Sequence, residues 1–339
     1  DDECQAVKRW IDIDDRSAIA AVRRLARRYG TEINLSDTRL DELAIVVTEA
    51  TTNILRYAER GRVLIDIIRT PGTRRLALLF SDAGEGIGDM DRMFQDGESS
   101  SDSAGLGLGA IKRLSDSFDV FSSADIGTTI VCTFDSVNAA PTGVIDIGGL
   151  RVCHPAERVC GDDWMLLQTR ETTDIILCDG LGHGALAAEA SREILATARG
   201  FDAPPGEMME ALTQAHVGSR GAVASIVRID HANLSLAYAG LGNIATLCIT
   251  KSGTRRLAVR DGRIGAAPTR GFEETMQLAQ GDLVIMYSDG LKTLRDADLP
   301  PGLLHRSPLL IAGFLINRSF RGRDDASIVV ARITGQVSG

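Results

Sequence analysis

The chain has 339 residues, of which 44% are hydrophobic and 24% charged, a balance typical of a folded protein with more than one core. Its formal net charge of -9 argues against a nucleic-acid partner, which requires a basic surface. The longest apolar segments are too short to span a membrane, and the start of the sequence lacks a signal-peptide pattern. The six cysteines form no Cys-x-x-Cys pair. We therefore expect a cytoplasmic protein with no membrane and no nucleic-acid partner.

The first third of the chain predicts a small sheet covered on one face by helices. Apolar residues recur at helical spacing from Arg16 to Tyr29, and a second helix is expected after Ser36, whose hydroxyl can cap it. The turn residues Pro71 and Gly72 separate two apolar runs and predict a hairpin. The expected strands are residues 63–68, 76–80, 118–121 and 128–134, and a third helix is expected near 108–114.

Strands dominate the rest of the chain. Residues 136–143, Ser-Val-Asn-Ala-Ala-Pro-Thr-Gly, break the pattern and predict a linker between a domain at 1–135 and a domain at 144–339. The second domain has the pattern of a β-sandwich flanked by helices, so the predicted fold class is α+β with two domains. Its expected strands are residues 164–169, 174–178, 223–229, 234–238, 244–249, 283–287 and 328–331, and its expected helices are 185–199, 206–216 and 308–317.

Three motifs in the first domain indicate a nucleotide site. Glu49 and Asn53 are four residues apart on a predicted helix and therefore project from one face, where they can activate a hydroxyl and hold Mg²⁺. Asp82 follows an apolar strand and can accept a hydrogen bond from an adenine amino group. Nearby glycines let the backbone approach a base and its phosphates. They are Gly84, Gly86, Gly105, Gly107 and Gly109.

Together with Thr128, at the start of the last strand of the domain, these motifs resemble the GHKL ATPase fold over residues 5–135. The resemblance is strongest to the small anti-sigma-factor and stress-switch serine kinases. It implies that the domain binds ATP and Mg²⁺, with Asn53 as the metal ligand, Glu49 as the general base and Asp82 as the adenine acceptor. It also implies that the five glycines shape the pocket and its lid, and that Thr128 helps to hold the base.

Acidic residues recur at the strand ends of the second domain. Strand ends that are far apart in the sequence can meet in a sheet, and a site with oxygen ligands alone favours Mg²⁺ or Mn²⁺. Two such ions about 3.5–4 Å apart can activate water and stabilise the charge of a phosphoryl group. A single Asp-Gly pair is most often only a turn, but four acidic positions in this order indicate a metal site. They are Asp162 or Asp163, Asp179, Asp289, and Asp324 or Asp325.

The run Asp179-Gly180-Leu181-Gly182-His183-Gly184, with Arg220-Gly221-Ala222 and the glycine-rich run before Asn243, resembles the PPM family of serine/threonine phosphatases. The resemblance covers about residues 143–334 and is strongest to the bacterial sporulation and stress-response branch. It implies two Mn²⁺ or Mg²⁺ ions, both bound by Asp179, with the Gly180 carbonyl assisting one of them. Asp162, Asp289 and Asp324 would complete the second ion.

Three assignments in this second domain stay open. Asp163 and Asp325 remain alternatives to Asp162 and Asp324, because motif alignment alone separates them. His183 has either a general-acid role or a structural role in its turn. No arginine before Asp162 stands in a clear phosphate-binding motif, and the candidates are Arg151 and Arg158.

The two resemblances together imply a bifunctional enzyme acting on one STAS-domain switch protein. Its kinase reaction would use Glu49, and its phosphatase reaction Asp179; a sigma factor or a downstream activator is a possible further partner. One alternative is a phosphatase regulated by a nucleotide-sensing domain, and another is a nucleotide-dependent anti-sigma binding module. A two-component histidine kinase is disfavoured, because the first histidine of the chain is His154.

Overall fold

The computed structural model describes residues 9–87, 104–136 and 144–335. One unit contains the described residues from 9 to 136, and the other contains most of those from 144 to 335. The predicted linker at 136–143 lies outside the described residues except for Ser136. The domain boundaries given above therefore stay a prediction.

The described part of the first unit contains one antiparallel sheet and three helices. The strands are β1 (Ile11–Ile13), β2 (Gly61–Thr70), β3 (Thr73–Asp82), β4 (Ser117–Ser123) and β5 (Gly127–Asp135), and the helices are α1 (Arg16–Glu32), α2 (Asp37–Tyr57) and α3 (Ala104–Leu114). The strand order is β1-β2-β3-β5-β4. Helix α2 packs against α1, α3 and β3, so the helices lie over the sheet and hold the predicted Glu49 and Asn53 beside it.

Helix α2, which carries two of the predicted site residues, begins at the expected cap. Ser36 Oγ accepts a hydrogen bond from Arg39 N–H at 3.3 Å, satisfying one of the free amides of the first turn. The predicted apolar stripe is buried along most of the helix and includes Val47 and Ile54. Tyr57, the last residue of that stripe, is instead 48% exposed, because the helix ends there.

The described part of the second unit contains ten strands and three α-helices. The strands are β6 (Ile145–Val152), β7 (Asp162–Gln168), β8 (Thr172–Gly180), β9 (Ala222–Asp230), β10 (Ser235–Leu241), β11 (Ala245–Thr250), β12 (Gly253–Arg256), β13 (Glu274–Gln277), β14 (Leu283–Tyr287) and β15 (Ala326–Ile333). The helices are α4 (Ala185–Ala198), α5 (Pro205–Ala215) and α6 (Pro308–Ser319).

These strands form two antiparallel sheets, in the orders β13-β10-β9-β8-β7 and β12-β11-β14-β15-β6. Helices α4 and α5 pack on the first sheet, and α6 packs on the second, while β7 and β15 contact each other across the sandwich. Apolar side chains such as Ile176, Ile194 and Met208 fill the layer between the first sheet and its helices. This helix-flanked sandwich, together with the first unit, confirms the predicted α+β class with two domains. No helix among the described residues combines the length and the apolar character needed to cross a bilayer.

Candidate active sites of the two units

Glu49 and Asn53 lie one turn apart on α2, and both are next to α3. A Cβ atom at Gly107 of α3 would lie 2.9 Å from Glu49 Oε2 and 3.2 Å from Asn53 Nδ2. Glycine at this position therefore leaves room for both polar groups. The structure brings the predicted Glu/Asn pair together with the middle glycine of the predicted glycine motif.

Asp82, at the end of β3, is held through one of its two carboxylate oxygens. The N–H groups of Gly84 and Thr128 donate to Asp82 Oδ1 at 2.9 and 3.2 Å. No other hydrogen bond to the Asp82 carboxylate comes from the described residues, so Oδ2 can accept one from a ligand. Burial raises the pKa of Asp82 from its ordinary value, and the two backbone donors act in the opposite direction.

A cavity of about 280 Å³ lies between α2, the start of α3 and the sheet. This is near the lower end of small-molecule sites, which begin at about 300 Å³. Its polar lining includes Asn53, Asp82 and Thr128, and its apolar lining suits the flat face of a base. The other lining residues are Ala50, Ile54, Tyr57, Phe80, Gly84, Glu85, Gly86, Ile87, Leu108 and Ile130.

The predicted glycines contribute unequally to this cavity. Gly84 and Gly86 line it, and Gly86 has φ +73° with no room for a Cβ beside the Ser123 carbonyl. Gly107 contacts the Glu/Asn pair instead. Gly109 faces Arg113 within its own helix, and a Cβ there would lie 3.2 Å from the Arg113 guanidinium. Gly105 lies in the first turn of α3, where only the backbone is described.

The aspartates of the second unit meet where strand ends of the two sheets come together. In the first sheet, antiparallel pairing places Asp162 directly opposite Asp179. In the second sheet, β14 ends just before Asp289, and β15 begins just after Asp324 and Asp325, at the same end of the pair. Hydrogen bonds connect the two sheets at this point. Ser327 Oγ donates to Asp162 Oδ2 at 2.7 Å, and Gly161 N–H donates to an Asp325 oxygen at 2.8 Å.

The charges of these carboxylates act on one another. Burial, followed by the charges of Asp162 and Asp289, raises the pKa of Asp179 to about 10. Burial likewise raises the pKa of Asp162 to about 7, with hydrogen bonds from Ser288 and Ser327 opposing the shift. Burial and the charge of Asp324 raise the pKa of Asp289. Several carboxylates held this close repel one another in the absence of a cation.

The donor set fits divalent cations. Asp162 Oδ1 is buried and has no hydrogen-bond partner among the described residues. An unpaired buried oxygen is costly, and a cation is a favourable partner for it. Carboxylate and carbonyl oxygens are the ligands that Mg²⁺ and Mn²⁺ prefer. The site is therefore suited to hold these ions.

The structure separates the aspartates that the sequence left open. Asp163 points to the other face of β7 and pairs with the buried Arg151. Asp325 accepts the N–H groups of His154 and Gly161 with its two oxygens, at 2.7 and 2.8 Å. Asp162 Oδ1, by contrast, has no hydrogen-bond partner among the described residues, and Asp324 Oδ1 accepts the Asp325 N–H at 2.9 Å. The assignment of Asp162 and Asp324 as the ligands stays a prediction.

Two further predicted residues lie at the end of β8 and in the loop that follows it. At Gly180 a Cβ would lie 2.1 Å from the Ala187 carbonyl, so this strand end packs directly on α4. His183 Nδ1 is 2.7 Å from Glu157 Oε1, and its ring stacks on His154 with centroids 4.5 Å apart. These contacts fix the orientation of His183 within its turn.

Three polar residues of the cluster had no role in the sequence prediction. Asn243 Nδ2 donates to Asp289 Oδ2 at 2.7 Å, Ser327 Oγ donates to Asp162 Oδ2 at 2.7 Å, and the Ser288 side chain lowers the pKa of Asp162. The glycine-rich run that ends at Asn243 was a usable signal. The two serines lie close to aspartates in the sequence, but nothing in a single sequence separates them from ordinary turn residues.

Each of the two units matches a different family of known proteins. Residues 14–134 match the family described as "Histidine kinase-like ATPase domain", and residues 169–334 match the family described as "Stage II sporulation protein E (SpoIIE)". The second match begins after Asp162, so the place of that residue in the cluster rests on the geometry.

Relatives of each unit are found in Bacillus subtilis (strain 168). The serine/threonine-protein kinase RsbT is 33% identical over 112 residues, which are 33% of this chain and 84% of RsbT. The phosphoserine phosphatase RsbX is 27% identical over 135 residues, which are 39% of this chain and 68% of RsbX. A crystal structure of RsbX in complex with magnesium has a TM-score of 0.52 at 22% identity, covering 57% of this chain and 98% of that one, and shares the fold.

The chain therefore belongs, through its N-terminal unit, to the histidine kinase-like ATPases of the RsbT type. Its C-terminal unit is a phosphatase domain of the SpoIIE branch of the PPM family.

Proposed function

We propose that the chain is a bifunctional enzyme that phosphorylates a protein serine or threonine and also removes such phosphates. One observation carries the proposal: a single chain holds a Glu/Asn pair beside a cavity of about 280 Å³ and, in its other unit, a cluster of facing aspartates. The names of RsbT and RsbX, a kinase and a phosphatase, support the same pair of activities.

In the kinase unit, ATP would lie in the cavity with its base toward Asp82. Asp82 Oδ2 would accept a hydrogen bond from the adenine amino group, while Oδ1 stays bound to the Gly84 and Thr128 amides. Asn53 would hold the Mg²⁺ ion, whose charge supports the leaving phosphates. Glu49 would take the proton of the attacking hydroxyl. The glycines of the predicted motifs would shape the phosphate side of the pocket.

In the phosphatase unit, the aspartate cluster would hold two Mn²⁺ or Mg²⁺ ions. When bound, the ions supply an activated water and neutralise phosphoryl charge. Asp179 would contact both ions, and Asp162, Asp289, Asp324 and the Gly180 carbonyl would complete the ligand set. Ser327 and Asn243 would orient the carboxylates that they touch, at 2.7 Å each.

We propose a small STAS-domain switch protein as the shared substrate, in the cytoplasm. The resemblance of both units to stress-switch enzymes supports this choice, because a kinase and a phosphatase joined in one chain gain most when they act on the same partner. A tether keeps each site at a high effective concentration near a docked partner. A sigma factor or a downstream activator would then respond to the phosphorylation state of that partner.

A labelled phosphate assay tests the proposal. Incubation of the purified chain with γ-labelled ATP, Mg²⁺ and candidate STAS-domain proteins should label a serine or threonine, and Mn²⁺ after removal of ATP should release the label. Release of phosphate from a pre-phosphorylated partner without any transfer would contradict the kinase half and favour a nucleotide-sensing phosphatase. Capture of a sigma factor with neither reaction would contradict both halves and favour a binding module.

A further inference from the structure

Arg220 lies at the same sheet edge as the aspartate cluster, one strand further along. Strand β9 pairs with β8 so that Ala222 is opposite Gly180 and Val223 is opposite Asp179. Arg220 precedes β9 by two residues, and antiparallel pairing therefore places it beside the loop that continues from Gly180. A Cβ at Gly182 in that loop would be 3.5 Å from Arg220 Nη1.

Reciprocal hydrogen bonds fix Arg220 against this loop. Leu181 N–H donates to the Gly221 carbonyl at 3.2 Å, and Arg220 Nη1 donates to the Leu181 carbonyl at 3.1 Å. Gly221 has φ +80°, and a Cβ there would be 1.9 Å from the Ile264 carbonyl. The turn that carries Arg220 is thus packed tightly in a conformation that only glycine adopts without strain.

The guanidinium of Arg220 keeps most of its donors available. The bond to Leu181 uses one N–H, and the side chain makes no other hydrogen bond and no ion pair with the described residues. Guanidinium presents five N–H groups in a planar fork that matches two oxygens of a phosphate. Arg220 is exposed to solvent, so a phosphate entering from outside can reach it.

Three other arginines of this unit, Arg151, Arg158 and Arg321, are less suited to this role. Arg151, a candidate from the sequence, is buried and paired with Asp163. Arg321 donates to the Leu291 carbonyl, and its charge lowers the pKa of Asp289, so it is already paired electrostatically with a carboxylate of the cluster. Arg158, the other candidate, is exposed, and among the described residues it makes no hydrogen bond or ion pair that places it against the loop after β8.

We propose that Arg220 binds the phosphoryl group of the substrate at the aspartate cluster. The inference rests on the proposed phosphatase function and adds to it the residue that recognises the phosphate. Two N–H groups of the guanidinium donate to two non-bridging phosphate oxygens, and the hydrogen bond to Leu181 holds the fork toward the cluster. Arg220 transfers no proton and forms no covalent bond; it holds the phosphate over the carboxylates that bind the metals.

The test compares Arg220→Ala, Arg220→Lys and Arg158→Ala in the full chain. Calorimetry with inorganic phosphate in the presence of Mg²⁺ measures binding without requiring turnover. We expect Arg220→Ala to weaken phosphate binding and to lower kcat/KM for p-nitrophenyl phosphate by about 10- to 100-fold, since charge-assisted bonds are lost. Arg220→Lys should retain part of the phosphate binding and part of the activity. Arg158→Ala should have the phosphate binding and the activity of the wild type.

Two readouts separate phosphate binding from a structural role. The increase in Tm on adding Mn²⁺ should be unchanged in Arg220→Ala, and millimolar guanidinium should restore part of its activity. Wild-type phosphate binding in Arg220→Ala, or loss of binding in Arg158→Ala instead, would overturn the proposal. So would loss of the Mn²⁺ effect in Arg220→Ala. A wild-type chain that binds phosphate through Arg220 but hydrolyses no phosphoester would instead contradict the proposed phosphatase function.

Discussion

Aspartates in this chain differ by their surroundings more than by their sequence motifs. Asp162 and Asp163 are neighbours, yet one faces the other carboxylates with an unpaired oxygen, and the other pairs with Arg151. Asp325 binds two backbone amides, whereas the charge of Asp324 contributes to the raised pKa of Asp179. Alternation along β7 sends Asp162 and Asp163 to opposite faces of the sheet, so the difference between these two follows from the strand geometry.

Asp82 is predicted to strengthen nucleotide binding and to lower the stability of the folded chain without nucleotide. Asp82→Asn should weaken ATP binding by about 10- to 100-fold, because a charged acceptor for the adenine amino group is lost. The nucleotide-free variant should be more stable than the wild type at pH 7, because a charge held in a partly buried site is removed. Calorimetric titration with ATP and thermal unfolding measure the two effects.

The stability effect of Asp82→Asn should depend on pH. The pKa of Asp82 is raised on folding from 3.8, so the carboxyl imposes no penalty while it is protonated in both states. The penalty develops as the pH rises above 3.8 toward the folded pKa and then stays constant. The Tm difference between variant and wild type should therefore be larger at pH 7 than at pH 4. Asp125→Asn, in the exposed turn between β4 and β5, is the control; an equal effect there would contradict the argument.

At the scale of elements, a glycine of α3 allows close packing against α2, in addition to the expected role of the α3 glycines in shaping the phosphate side of the pocket. Gly107 lets α3 approach the Glu/Asn pair of α2, and α3 in turn lines one side of the cavity through Leu108. The position of each glycine in the motif therefore decides what it contacts. Gly109 faces Arg113 of its own helix and contacts neither the Glu/Asn pair nor the cavity.

Gly107→Ala should separate helix stability from phosphate transfer. Alanine favours a helix over glycine by about 1 kcal/mol, so the Tm should not fall by much and can rise. The added Cβ would meet Glu49 Oε2 at 2.9 Å and shift it, and a displacement of catalytic groups by about 1 Å can cost about 100-fold in rate. Rates of label transfer from ATP measure the loss. The phosphatase activity of the same variant is the internal control; wild-type transfer would show that the contact has no role.

Most elements could be predicted from the sequence because their apolar pattern is strong, and the missed ones have identifiable causes. Strand β6 contains Gly148 and Gly149, which weaken the apolar pattern by which a strand is predicted. The structure requires glycine at both positions, because a Cβ at Gly148 would be 2.3 Å from Leu309 N on α6, and one at Gly149 would be 2.6 Å from the Trp164 ring. Strands β12 and β13 have four residues each and are largely exposed, so little apolar signal marks them.

Most residues of the candidate sites, like most of the elements, could be predicted from the sequence. Motif residues far apart in the sequence were expected to converge, and the structure places Asp162, Asp179, Asp289 and Asp324 together. A role for Arg220 could not be assigned from sequence alone, because its place depends on the strand register and on turn geometry. The metal, nucleotide and phosphate roles of all these residues remain proposals.

At the scale of the whole molecule, each ligand should stabilise against unfolding the unit that contains its site. Mn²⁺ at a hundred times its Kd should add about 2.7 kcal/mol of stability to the unit that binds it. Asp162→Asn should raise the Tm of the metal-free chain, because a buried charge among other carboxylates is removed, and should abolish most of the increase that Mn²⁺ causes. Thermal unfolding with and without Mn²⁺ measures both.

The control for the metal experiment is Asp261→Asn, at an exposed position. It removes the same charge from the chain and should leave both the metal-free Tm and the Mn²⁺ effect unchanged. A full Mn²⁺ effect in Asp162→Asn would mean that the aspartate cluster does not hold the metal.

The central claim is that two opposing reactions occur at two independent sites of one chain. Transfer of labelled phosphate from ATP to a STAS-domain partner, and its removal, should be measured side by side for the wild type, Asn53→Ala and Asp179→Asn. We predict that Asn53→Ala abolishes transfer and keeps removal within about twofold, and that Asp179→Asn does the reverse, since each reaction is proposed to use residues of its own unit. Loss of both reactions from either single substitution would contradict the claim.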